Sequence, residues 1–193
     1  MQKSILLLLA LFVSAACTMP ETKIYSLSLP VEKKLNNDIS GVPPVNIRVQ
    51  SPRYLSQQYI AHRTSPYQLE ISKYSKWELS PLEMVREAFV DAFYSRGTSK
   101  EVKILNIIPA GYYAVDIKLR RFERTDSVIG AFGEVDFDVN VLSPDGKELY
   151  RKTIARKVAL ERKDNVSLAE ALSAALSDAV DETMTGIIGA IKP

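Results

Sequence analysis

Across residues 112–142 the sequence alternates apolar and polar side chains through two successive segments, a pattern that commits this part of the chain to a sheet with one buried face. Val115, Ile117 and Leu119 share one phase and Asp116, Lys118 and Arg120 the other, until Arg121-Phe122 shifts the phase by one, as a bulge does. Residues 133–142 continue with Val135, Phe137, Val139 and Val141 inward and Glu134, Asp136, Asp138 and Asn140 outward. Pairing these two strands as a hairpin sets Lys118 and Arg120 near the acidic row. Each exposed pair would add roughly 0.2–1 kcal/mol and favour one register. Asp145-Gly146 then turns the chain into a third strand over residues 147–160.

The remaining elements are expected around this meander. Residues 24–29 read as a strand with Tyr25, Leu27 and Leu29 on one face, ended by Pro30; residues 31–44 form a polar connector. Val45, Ile47 and Val49 mark a second strand, stopped by Ser51-Pro52. Residues 58–64 and 67–72 predict a hairpin around Ser65-Pro66, and 102–108 a further strand. Ser80-Pro81-Leu82-Glu83 is a helix start in which serine caps, proline takes the first helical position and glutamate reaches back to the cap. Leu82, Val85, Phe89, Ala92 and Phe93 form its apolar stripe, and Gly97 its stop. Ser167-Leu168-Ala169-Glu170 repeats the capping signal and starts a last helix running to about residue 191. Each helix must bury one stripe and each strand one face. The predicted fold is therefore α+β: a two-layer sandwich, its sheet mainly antiparallel, with two helices packed on one face.

The N-terminus predicts a compartment. Met1 to Lys3 is short and basic, residues 5–13 are an apolar run too short to span a bilayer, and Ser14-Ala15-Ala16 places small residues before Cys17. This is the pattern of a lipoprotein signal, in which the thiol of Cys17 is acylated and anchors the new N-terminus. An ordinary secretory signal cut near Ala16 is the alternative. The expected organisation is a signal peptide over 1–16, a lipidated tether over 17–22 and one folded domain over 23–193. With one cysteine there is no intramolecular disulfide, and one histidine leaves little for a transition metal. A formal net charge of +2 gives no strong field for nucleic acid.

The sequence offers no catalytic, metal-binding or cofactor-binding pattern: no phosphate loop, nucleophile elbow or zinc spacing. His62, and the carboxylates of Glu134, Asp136 and Asp138, are expected to be structural or solvated. Two stretches are candidates for partner binding. Pro52, Arg53, Tyr54, Leu55, Tyr59 and Arg63 concentrate aromatic and arginine side chains around a turn, with core packing of Tyr54 and Leu55 as the alternative. Ile129 and Phe132 belong to an apolar hairpin tip, which either tucks onto the body or docks on a partner or lipid.

Tyr25-Ser26-Leu27, Val49-Gln50-Ser51-Pro52-Arg53-Tyr54-Leu55, Ile60-Ala61-His62-Arg63 and residues 74–77 ending in Trp77 before a helix resemble, in this order, the ABC-type transport auxiliary lipoproteins. The resemblance implies an outer-membrane lipoprotein facing the periplasm that works with a mammalian-cell-entry-domain protein and an ABC transporter complex in moving lipids or other apolar molecules between the two membranes. Thr18, where aspartate favours inner-membrane retention, resembles the pattern of a lipoprotein passed on to the outer membrane. A homo-oligomer, a lipid-binding shuttle and an activator of a cell-wall enzyme or assembly machine stay open as alternatives.

Overall fold

A long strand, β6 (Tyr113–Ser127), organises the sheet of this computed structural model, which describes residues 20–30 and 43–191. On one side β6 pairs antiparallel with β7 (Gly130–Leu142), which pairs in turn with β8 (Glu148–Ala159), so the predicted meander is present. Arg120 is the residue skipped in the β6–β7 register, so the phase shift legible in the sequence is a bulge there. Along its other side β6 is flanked by two shorter parallel strands in succession, β2 (Val45–Gln50) and then β3 (Tyr59–Ser65). β3 and β4 (Gln68–Trp77) form the expected hairpin, and β1 (Lys23–Tyr25) adds in parallel to the free edge of β4. The sheet is thus mixed: its hairpins are antiparallel, and strands brought together from distant sequence are parallel.

The strand expected over 102–108 shrinks to β5 (Val102–Lys103), on the edge of β2. The buried side chain of Asn46 explains the shortening. It donates to the Leu105 carbonyl at 3.0 Å and accepts from the Leu105 amide at 3.1 Å, taking the backbone bonds that a ladder would have used.

Helix α1 (Pro81–Ser95) starts as the sequence predicts. The Glu83 amide donates to Ser80 Oγ at 3.3 Å, and Glu83 Oε2 accepts from the Ser80 amide at 3.0 Å. Gly97, at φ 59°, closes it, with the Thr98 amide donating to the Phe93 carbonyl at 3.0 Å and that of Gly97 to Tyr94 at 3.2 Å. Met84 and Ala88 join Val85, Phe89, Ala92 and Phe93 on the buried stripe, whereas Leu82 is only half-buried.

Helix α2 (Asn165–Ile191) begins earlier than its apparent capping box. Asp164 caps it, its Oδ1 accepting from the Ser167 amide at 2.8 Å, and Ser167 lies inside the first turn. Both helices close over the same sheet face. Phe89 meets Phe137 edge-on at 5.7 Å, and Trp77 meets Phe122 at 6.0 Å, filling the space between the layers.

Candidate functional site

The expected signal segment, Cys17 and Thr18 lie outside the described residues, but the chain that follows is fastened at several points. β1 lies on β4, and the Glu78 amide donates to the Tyr25 carbonyl at 2.8 Å. The Ser28 amide then donates at 3.0 Å to Ser173 Oγ of α2, while Leu27 and Leu29 pack against the core. Backbone pairing, a helix contact and apolar burial together make residues 23–29 a strap.

The stretch from Pro52 to Arg63 is divided by the structure. After β2, Arg53–Ser56 makes a short 3-10 turn beside the middle of β6, filling the gap between β2 and β3. Leu55 is fully buried in the core, so the expectation that it contacts a partner is corrected: it has no surface to offer. Tyr54 and Arg63 converge on Glu123, whose side chain is wholly buried on the sheet face opposite the helices. The Tyr54 hydroxyl donates to Glu123 Oε2 at 2.8 Å, and Arg63 Nη2 donates to the same oxygen at 3.2 Å while its Nε donates to Oε1. Burial first, and then the charge of Glu123, push the Tyr54 phenol well above its ordinary range. The hydrogen bond to Glu123 raises Arg63 against the opposing effect of burial. The Tyr54 hydroxyl and the Nε and Nη2 of Arg63 are thus engaged internally. Pro52, Arg53 and Tyr59 are exposed.

Glu123 gave no sign of this role in the sequence, since it falls on the phase of β6 expected to face water. Its partners come from a segment some sixty positions upstream, Arg63 at a separation of 60 residues. The only available signal was the Tyr54–Arg63 concentration itself, which matches a buried acceptor as well as an interface.

The second candidate stretch also divides. The β6–β7 turn consists of Val128 and Ile129, both standing free in solvent, while Ala131 is buried. Phe132 is on the sheet and not at the tip; it is half-buried beneath Lys157, whose Nζ lies 4.6 Å from the ring centroid.

Other polar groups are bound locally. Arg121 pairs with Glu134 at 2.6 Å, and Arg120 with Asp136 at 2.6 Å and Asp138 at 3.3 Å, which neutralises the acidic row. His62 Nε2 lies 3.2 Å from Asp126, whose carboxyl is held below its usual range chiefly by its hydrogen bond from Arg124. Among the described residues no cluster of three or more metal-ligating side chains occurs, and no helix is long and apolar enough to cross a membrane. A groove of about 320 Å³ runs between α1, α2 and Leu29-Pro30. Asp91, Arg96 and Asp181 are in its lining, with an ion pair between Arg96 and Asp181.

A family model described as ABC-type transport auxiliary lipoprotein component matches residues 25–184. No curated protein matches the chain. Among solved structures, a protein of Xanthomonas campestris assigned to the DUF330 family superposes with a TM-score of 0.69 at 20% identity, covering 86% of this chain and 96% of the other. An uncharacterised protein aligns with a TM-score of 0.67 at 12% identity over 86% of this chain and 99% of its own. At these identities the likeness concerns the fold.

Proposed function

Because this chain belongs to the ABC-type transport auxiliary lipoprotein family, matched over residues 25–184, we propose that it is a non-enzymatic adaptor, tethered by acylated Cys17 and docking an ABC-type intermembrane transport assembly. The family places it with membrane-anchored envelope proteins associated with ABC transport. In our reading, residues 1–16 are removed, 17–22 form the tether and 23–193 the folded unit. Thr18 favours delivery to the outer membrane, with the body facing the periplasm. The docking subunit is a mammalian-cell-entry-domain protein, and the cargo is lipid.

The observation that carries this reading is the strap over residues 23–29, bonded to β4 and α2, which joins the anchor side of the chain to both layers. An adaptor has to bear load between a bilayer and a partner, and this attachment is suited to that task. Pro52, Arg53 and Tyr59 are the docking positions we retain, because they are exposed on a corner that the Tyr54–Glu123–Arg63 network holds rigid. The shuttle alternative is less favoured: the space between helices and sheet is filled by apolar side chains, aliphatic and aromatic, and the outer groove carries charged residues.

The test is affinity capture of the native protein from detergent-solubilised envelopes, wild type against Cys17→Ser. Wild type is expected to carry acyl mass on Cys17 and to co-purify with subunits of an ABC-type transport assembly. The variant is expected to leave the membrane and lose most of that association. Wild type that is acylated but free of any transport subunit would contradict the adaptor reading.

A further inference from the structure

We propose that the paired turns of β3–β4 and β6–β7 insert into the same bilayer that holds the lipid anchor, with Tyr67, Val128 and Ile129 as the inserting side chains. The inference rests on the anchor reading above for the position of the membrane, and on the topology for the rest.

β3 runs parallel to β6, with His62 opposite Arg124 and Arg63 opposite Thr125. Their C-terminal ends, Ser65 and Ser127, therefore lie at the same end of the sheet, and so do the turns that follow. Tyr67 is 99% exposed in one turn, and Val128 and Ile129 are 107% and 87% exposed in the other. Neighbouring strands lie about 4.8 Å apart, so the two turns form one apolar tip. A tyrosine beside two aliphatic residues suits a bilayer interface, where the ring lies among headgroups and the aliphatic groups reach the acyl boundary.

The chain outside the described residues points the same way. β1 is parallel to β4, with Lys23 opposite Ser75, so traced back toward the N-terminus it heads along β4 to the Tyr67 turn. Ser75 and Gln68, the first residue of β4, are seven positions apart, or about 23 Å at strand spacing. Cys17 is six positions before Lys23, and six residues reach up to about 20 Å. The tether is therefore long enough to bring acyl chains on Cys17 nearly level with the tip, and little longer than that. The β8–α2 connection meets the same end of the sheet, because Ala159 pairs with Phe132, and it leads into the first turn of α2, which carries exposed Val166. Its charges are mixed, Glu161 and Asp164 beside Arg162 and Lys163, so contact is driven by apolar insertion and not by attraction to anionic lipid. Tyr59, at the start of β3, lies at the far end of that strand and remains available to a partner. This separates Ile129 from the docking group.

The experiment uses the full acylated chain in phosphatidylethanolamine–phosphatidylglycerol vesicles containing nitroxide-labelled acyl chains. A fluorophore is attached to a cysteine introduced by Tyr67→Cys, Ile129→Cys or, at the opposite end of the sheet, Asp145→Cys. Intact mass of each sample reports acylation of Cys17. Labels at 67 and 129 are expected to be quenched by the lipid nitroxide at least threefold more than the label at 145, unchanged by raised salt or by omission of phosphatidylglycerol. Acylated, vesicle-bound protein with labels at 67 and 129 quenched no more than at 145 would overturn the inference while leaving the anchor intact. Labels shielded only on adding a partner complex, and not by lipid, would overturn it in favour of a protein contact. Absence of acyl mass would instead remove the anchor reading, and the inference with it.

Discussion

Glu123 has no side-chain surface in water, although its strand phase would put it there, and the Tyr54 hydroxyl and the Arg63 guanidinium satisfy it. The two charged partners are not equivalent, since Arg63 keeps 24% of its side chain exposed while Glu123 keeps none. Arg63→Met strands a buried carboxylate and is expected to cost roughly 3–5 kcal/mol in urea unfolding. Glu123→Gln is expected to cost less, because the guanidinium it abandons can turn toward solvent. The double variant Arg63→Met/Glu123→Leu is expected to recover most of the loss, as apolar replacement of buried pairs often does. None of this was legible from residue 123 alone, because the burial is created by side chains distant in sequence. Asp126 and Glu83 add a pH effect. Hydrogen bonds from Arg124 and from Ser80, respectively, hold their carboxyls below the ordinary range, so each contributes stability that is present above the unfolded pKa and lost as pH falls through the folded one. Unfolding free energy is therefore expected to decline below about pH 4, and Asp126→Asn with Glu83→Gln to make that decline shallower in an acid titration followed by circular dichroism.

At the scale of elements, the start of α1 was readable and the start of α2 was not, for one physical reason. Ser80 has a single competent cap arrangement, whereas in the second case Asp164 stands three residues before Ser167 and takes the amide that fixes the helix start. Ser80→Ala is expected to lower stability by about 0.5–2 kcal/mol, measured by chemical denaturation. The packing of α2 on β7 depends on Gly133. A Cβ there would lie 3.1 Å from Ala171 Cβ and 3.2 Å from the Leu172 backbone nitrogen. Gly133→Val is expected to displace the helix and cost about 1–3 kcal/mol, read as a lowered Tm. Alternation revealed β6 and β7, whereas β8 was read from the Asp145-Gly146 turn: on it Lys152 and Arg156 share a phase with Ile154 and Val158 and pair with Glu182 of α2. The strand expected over 102–108 was misjudged because apolar residues there are exposed, Ile107 at 83%, and the Asn46 side chain takes the place of a ladder.

Across the whole molecule, the two layers, the strap and the exposed corner are the features on which the proposed adaptor role rests. Which strands are neighbours was partly hidden in the sequence, since β2 and β3 reach β6 only through parallel pairing between distant segments. The proposed adaptor role is equally indirect: a docking face needs only exposure and rigidity, and no side-chain pattern announces it. The most direct measurement is photo-crosslinking in living cells from a probe at Arg53 or Tyr59 of the otherwise native, acylated protein, with the captured product identified by mass spectrometry. The account predicts a covalent product with a subunit of an ABC-type transport assembly from both positions. Capture of a cell-wall enzyme instead, or no product from either position while the protein is acylated and membrane-bound, would contradict it.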